Sequence, residues 1–295
     1  MFRFKTDMAS EAQRRSGAGL AGVSLEKSDL GGIPAETVSV TDRISAELLG
    51  KPIGKYTTID VSSLSDLTQN TLLPCAEAIA KTVTDMLPPL DIRETVLAVG
   101  LGNRKITSDS LGPDSADGII ATRHLFEDMP HNLGSLRPVA VFTPGVLGST
   151  GIESGETVAA LVSALRPRVC VLIDALASSD HGGLCKSVQI SNTGISPGSG
   201  VANHRFEISP QTVGIPCVSI GVPTVVEART LISAFAQKQG IDEESFLFDV
   251  DEDSFFLTPK DIDRLSPLCA RAISLGVNMA FQPDLSASDI EALQS

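Results

Sequence analysis

The sequence predicts an α/β domain with a mostly parallel sheet and helices on both faces, and three observations carry that expectation. Short apolar, β-rich runs recur at Thr95 to Val99, Val139 to Phe142 and Val169 to Ile173. Stretches with apolar residues at helical spacing separate them, as around Val158, Leu161, Val162 and Leu165. The run from Val169 to Ile173 is apolar without alternation, as a strand buried on both faces requires. Such a sheet puts its working residues outside the carboxyl ends of its strands.

Taken in order, residues 1–35 are polar and rich in Gly, Ser and charge, which predicts a mobile arm. Val38 and Val40 alternate with polar neighbours, Ile44 and Leu48 stand four apart, and Tyr56 to Val61 alternates again, predicting a strand, helix, strand entry. Leu72, Ala76, Ile79, Val83 and Met86 mark a helix that Pro88 and Pro89 stop. The strand from Thr95 ends in Gly100, and a helical stretch follows through Ala121, Leu125 and Phe126. The strand from Val169 is expected to end at Asp174. Further strands are expected at Ser187 to Ile190 and Cys217 to Ile220, and a helix at Val225 to Phe235. Residues 242–253 are an acidic linker without calcium-loop spacing. Thr258 caps a last helix with Pro259 at its first position and a stripe of Ile262, Leu265, Cys269, Ile273 and Val277. The expected organisation is an arm at 1–35, one domain at 36–282 and a frayed tail at 283–295.

Composition removes several function classes. The net charge of -13 argues against a nucleic-acid partner, because phosphate binding needs clustered Lys and Arg. Five cysteines without a CxxC pair read as buried free thiols in a reducing cytoplasm. No stretch reaches the ~18 apolar residues of a membrane span, and the charged start MFRFKTDMASEAQRR is not a secretory signal.

The chemistry-bearing residues stand in loops after strands. Gly100-Leu101-Gly102-Asn103 lacks the third Gly of a dinucleotide fingerprint, so no such cofactor is expected. Asp109 in SDSLGP follows the first parallel strand and Asp174 in IDALA follows the third. Parallel geometry can bring the two into one crevice. Two close carboxylates do not both ionise cheaply, so the pair can supply one base and one acid. An Asp after a strand is also a common cap or turn former, and spacing alone does not decide between the two. The loop TGISPGSGVANHR at 193–205 offers Gly194, Gly198 and Gly200, and PGVLGSTGIESGE at 144–156 offers Gly145. Their exposed amides suit an extended peptide or an oxyanion, or else simply a connection. With Gly102 and Asn103 these are the candidate substrate-binding residues. No GxSxG elbow and no HExxH pair is present, and His124 reads as a structural helix residue.

Together GLGN at 100–103, DSLGP at 109–113, TRHLF at 122–126, PGVLGSTGIE at 144–153, IDALA at 173–177, QISNTGISPGSGVANHR at 189–205 and GIPCVSIGVPTVVEA at 214–228 closely resemble the spore germination proteases, in order and spacing. The resemblance continues through TPKDID at 258–263. It implies an endopeptidase that starts degradation of small acid-soluble spore proteins, with Asp109 and Asp174 as its catalytic carboxylates and homotetrameric assembly. It also implies a fold like that of the hydrogenase maturation endopeptidases and a site in the forespore or spore-core cytoplasm; no evident metal-binding His stands beside the two aspartates, so no cofactor is expected, and with no apolar span no membrane partner is expected. Thr6-Asp7-Met8-Ala9-Ser10-Glu11 is similar to the sequence such enzymes cut, which implies a zymogen that processes itself between Met8 and Ala9 and sheds a propeptide of residues 1–8. Glu227, where the family usually has Asp, and the short linker at 242–253 depart from its pattern. Hydrolysis by the two aspartates without metal is the favoured reading. A metal-dependent peptidase using the same carboxylates and a non-catalytic binding protein for these substrates stay open beside it.

Overall fold

A computed structural model describes residues 6–16, 19–66, 71–128, 134, 136–196, 206–240 and 255–294. Among them the strands are β1 (Val23–Asp29), β2 (Pro34–Val40), β3 (Gly54–Asp60), β4 (Val96–Gly100), β5 (Val139–Phe142), β6 (Val169–Ser178), β7 (Ser187–Ser191), β8 (Cys217–Glu227) and β9 (Phe256–Leu257). The helices are α1 (Ala9–Arg15), α2 (Arg43–Leu49), α3 (Leu72–Met86), α4 (Leu111–Asp117), α5 (Arg123–Asp128), α6 (Leu147–Thr150), α7 (Ser154–Leu165), α8 (Pro210–Val213), α9 (Ala228–Lys238), α10 (Ile262–Phe281) and α11 (Ala287–Gln294). The strands form one nine-stranded sheet in the order β1-β2-β3-β7-β8-β6-β4-β5, with β9 against β8. The block β5-β4-β6-β8 is parallel, and β7, β3, β2 and β1 extend it as an antiparallel wing.

Side-chain alternation decides what covers each face. On one face Val96, Ala98, Val171, Ile173, Val188, Ile190, Val218 and Ile220 pack against Ile79 and Val83 of α3 and Cys269, Ile273 and Val277 of α10. On the other face the parallel block presents Leu97, Val99, Cys170, Leu172 and Cys217 to Val158 and Val162 of α7. The wing presents Val38, Val40 and Tyr56 on that same side to Leu49 of α2 and Ala9 of α1. Between these two covers lies a strip that neither apolar cluster reaches. The register places there Gln189 opposite Gly221, Gly221 opposite Asp174, and Ser191 opposite Ser219. Among the described residues the sheet is therefore roofed by apolar clusters at both sides, with a buried polar row between them.

Several elements differ from the sequence expectation, each for a nonlocal reason. Residues expected in a mobile arm include α1 and β1; β1 is an exposed, charged edge strand held by its ladder to β2. β6 does not end at Asp174 but continues to Ser178, because β8 runs beside it past a register shift at Leu176/Ala177. β8 likewise reaches Glu227 before α9 begins. Thr258 caps nothing: its hydroxyl donates to the Thr224 carbonyl at 2.9 Å, and α10 starts at Ile262. The tail past Gln282 carries α11, whose Ile290 is fully buried with Ala76 and Leu275.

Candidate active site

Asp174 sits where the sheet loses a neighbour. The β4 ladder ends at Gly100 opposite Ile173, and Leu101 N–H closes it on the Ile173 carbonyl at 2.7 Å. Asp174 is thus the first β6 residue beyond β4. It is buried, on the open strip, and its Oδ1 accepts the Ala175 N–H at 2.9 Å. Beyond it, on the edge that β4 has vacated, the backbone of Ala177 is bonded to Asp7 and its side chain is buried.

Asp109 closes a 3-10 turn, Thr107–Asp109, that packs beside β6 and β8. Thr224 Oγ1 on β8 donates to the Ser108 carbonyl at 2.6 Å and pins that turn. Asn103 N–H is shared between the Asp109 carbonyl and its Oδ2, each at 2.9 Å. Gly102 makes this possible at φ +113: a Cβ there would lie 2.2 Å from the Asp109 carbonyl oxygen. Gly112 of α4 is equally constrained, since a Cβ would stand 2.1 Å from the Leu101 oxygen and 2.4 Å from that of Ile173. The two aspartates consequently share one end of the parallel block, locked by backbone-to-backbone contacts. Gly102 and Asn103 hold Asp109 rather than line the cleft described next.

A cleft of about 180 Å³ lies over the open strip, lined among others by Asp7, Lys51, Tyr56, Asp174, Leu176, Gln189, Ser191, Gly194, Ser219 and Gly221. Asp109 stands to its β4 side and is not among the lining residues. Gly145 belongs to the turn after edge strand β5, at φ +75, where its carbonyl accepts from Ser154 Oγ; it too lies outside the lining. Gly198 and Gly200 fall outside the described residues. His124 is exposed on α5. All five cysteines are free and buried, and burial pushes the thiols of Cys185 and Cys217 up to about 12.

The segment from Thr6 to α1 packs beside the cleft, with Asp7 in its wall. Asp7 N–H donates to the Ala177 carbonyl at 2.9 Å, and the Ala177 N–H donates to Asp7 Oδ2 at 2.8 Å, so the segment adds to the edge of β6 that β4 leaves free. Gln189 Nε2 donates to the Asp7 carbonyl at 3.0 Å while its Oε1 accepts Ala9 N–H at 2.6 Å. One side chain thereby brackets Met8, bonding the carbonyl of the peptide before it and the N–H of the peptide after it. The Met8 carbonyl accepts Ala12 N–H at 3.1 Å and opens the first turn of α1. Met8 and Ala9 are buried, Ala9 among Val38, Val40, Leu49 and Tyr56. Lys51 Nζ donates to the Thr6 carbonyl at 2.9 Å. Loss of solvent lowers the Lys51 pKa, and the charges of Asp7 and Glu11 oppose that shift. Gln189, Ser178, Ser179 and Lys51 carry no sequence signal of their own; only the register and the docked segment single them out.

The family model described as germination protease matches residues 4–238. The chain belongs to the germination protease family. Germination protease from Clostridium perfringens is 35% identical over 321 aligned positions, covering 98% of both chains. That from Caldanaerobacter subterraneus is 36% identical over 316, covering 98% of this chain and 97% of the relative. A [NiFe] hydrogenase maturation protease, HycI, from Thermococcus kodakarensis overlays at a TM-score of 0.36 with 16% identity, covering 68% of this chain and 96% of its own. As a germination protease the chain is an endopeptidase. Among the described residues no group of three or more His, Cys, Asp or Glu is placed to hold a metal ion. Nor is any helix of the described residues long and apolar enough to cross a membrane.

Proposed function

We propose that this endopeptidase initiates degradation of small acid-soluble spore proteins during germination, with Asp109 and Asp174 sharing one proton at the end of the parallel block. We further propose that it is a zymogen that cuts its own chain between Met8 and Ala9, releasing residues 1–8 as a propeptide. Homotetrameric assembly and a place in the forespore or spore core follow from the family likeness as part of the same reading. The observation that carries it is Gln189, in the sheet row that ends at Asp174, bonding the Asp7 carbonyl and the Ala9 N–H on either side of Met8.

In the proposed reaction the ionised carboxylate takes a proton from water, whose oxygen adds to the carbonyl carbon of the residue before the cut. The protonated carboxylate gives its proton to the departing nitrogen. The C–N bond breaks, leaving a new carboxylic acid and a new amine, which settle as carboxylate and ammonium, and the pair again holds one proton, now on the other aspartate. In this reading a peptide laid across the strip meets Asp174, and the burial of that carboxylate keeps bulk water from screening the charge that develops.

A peptide copying residues 3–14 tests this with wild type, Asp109→Asn and Asp174→Asn, each with and without chelator. Wild type is expected to cut after the methionine. Each variant is expected to lose about 10²- to 10⁴-fold, the span of a general acid or base, with no effect of chelator. Loss on chelation would replace the proposal with metal-dependent hydrolysis, and full activity in either variant would remove that aspartate from the mechanism.

A further inference from the structure

The turn that carries Asp109 leaves β4 but is fastened beyond its neighbour. In the sheet order β6 lies beside β4 and β8 lies past β6, yet Thr224 Oγ1 of β8 donates to the Ser108 carbonyl at 2.6 Å. Thr224 makes that reach because it is the extra residue of a β-bulge. Leu176 pairs with Pro223 and Ala177 with Val225, so Thr224 has no place in the β6 ladder. Pro223, with no N–H to give a ladder, stands directly before it, as prolines inside sheets do at bulges. The bulge frees two groups of Thr224, and both are used: the hydroxyl goes to Ser108, and the carbonyl accepts Thr258 Oγ1 at 2.9 Å where the chain leaves β9. Thr224 is 0% exposed, so water does not compete for its hydroxyl. Within the turn Asp109 N–H donates to the Ile106 carbonyl at 2.8 Å and Ile106 N–H to the Asn103 carbonyl at 3.0 Å. Those bonds shape the turn, and the Thr224 bond sets where that shape stands on the sheet.

We propose that Thr224 is a positioning residue for the peptidase reaction: through the Ser108 carbonyl its hydroxyl fixes the Asp109 carboxylate relative to Asp174 on β6, and Thr258 braces the bulge from behind. The inference rests on the reading of Asp109 as one of the two catalytic carboxylates and names what holds it in place. Ser108 directly precedes Asp109, so a shift of its carbonyl is carried into the Asp109 backbone and from there into the carboxylate. Acid and base must stay within hydrogen-bond reach of the atoms they serve, and a drift of about 1 Å costs about 10²-fold in rate. Valine keeps the branched shape of threonine and removes the donor; serine keeps the donor and removes the methyl. The turn needs the hydroxyl and not the bulk.

Full-length wild type, Thr224→Val, Thr224→Ser, Asp109→Asn and the double variant Thr224→Val with Asp109→Asn are compared on a peptide copying residues 3–14. Thr224→Val is expected to lower kcat by about 10- to 100-fold with KM within about twofold of wild type. Thr224→Ser should restore kcat to within about threefold, and the double variant should be no slower than Asp109→Asn alone. A wild-type kcat in Thr224→Val, a loss carried by KM instead of kcat, a Thr224→Ser enzyme as slow as Thr224→Val, or losses that multiply in the double variant would each overturn the proposal. Should Thr224→Val fail to fold, Thr258→Val takes its place, with kcat expected to fall by about 3- to 10-fold at an unchanged KM; a wild-type kcat there overturns it. Should wild type leave the peptide uncut, or Asp109→Asn cut it at the full rate, the reading of Asp109 itself fails. Hydrogen exchange at the Asn103 amide, which the Asp109 carbonyl and Oδ2 hold, then decides the positioning role alone. Exchange faster by about tenfold or more in Thr224→Val but not in Thr224→Ser supports it, and equal exchange in the three proteins overturns it.

Discussion

The parallel block and the antiparallel wing of one sheet are stabilised differently, and the contrast locates function. In the parallel block both faces are covered, by α3 and α10 on one side and α7 on the other, and β4 is buried along its whole length. In the wing one face rests on the same helices while the other, among the described residues, carries α1 and α2. The cleft lies where the two roofs fail to meet. A polar row of Gln189, Ser191, Ser219 and Asp174 is tolerated there because each has a partner: the docked segment for Gln189, each other for the two serines, and the Ala175 N–H for Asp174. Stability is thus concentrated on one side of Asp174 and recognition on the other.

The sharpest way to break that division is to strike the parallel block. Gly112→Ala would push a Cβ to 2.1 Å from the Leu101 oxygen and 2.4 Å from that of Ile173. Neither backbone atom can rotate away, so a loss of about 3 kcal/mol or more is expected, read as a lowered midpoint in urea. A wild-type midpoint would show the locking contacts to be loose. On the wing, Ala9→Leu overfills the pocket of Val38, Val40, Leu49 and Tyr56. Overpacking costs about 1–3 kcal/mol, but here it is met by undocking the segment rather than unfolding the sheet. Self-processing should slow by about 10- to 100-fold while the urea midpoint stays near that of wild type. A midpoint falling in step with processing would show the wing and the segment to be one cooperative unit.

The smallest effect is alkaline. Burial lifts the Cys185 and Cys217 thiols from an ordinary 9.0 to about 12. Burial likewise lifts the Tyr56 phenol from 10.0 to about 12. Each group keeps its proton longer folded than unfolded, so its contribution is complete below the unfolded value and is lost as pH rises through the folded one. The melting temperature should hold up to about pH 9 and decline above it. Tyr56→Phe should remove part of the decline above pH 10; the same slope in both proteins would show that Tyr56 takes no part.

The parallel block was largely legible in the sequence. Val139–Phe142 and Leu72–Met86 fall where periodicity puts them, because strands buried on two faces and helices with one apolar stripe leave local patterns. Asp174 was legible as a polar residue after an apolar run, but β6 beyond it was not, since Ala175 to Ser178 owe their strand to β8. The first residues read as a mobile arm because Ala9 finds its partner at Gln189 and Glu11 finds its own at Ser178 and Ser179, far along the chain. Gln189 shows the limit most clearly: alternation predicts that it faces away from Val188 and Ile190, but nothing local says that a peptide lies there.

The central claim is that the chain is cut in the gap between the two roofs by the carboxylate at its floor. Intact mass of freshly purified wild type and Asp174→Asn, followed over time under the same conditions, tests it most directly. Loss of residues 1–8 from wild type with none from the variant is the predicted result. An Asp174→Asn chain that sheds the same residues at the wild-type rate would contradict it.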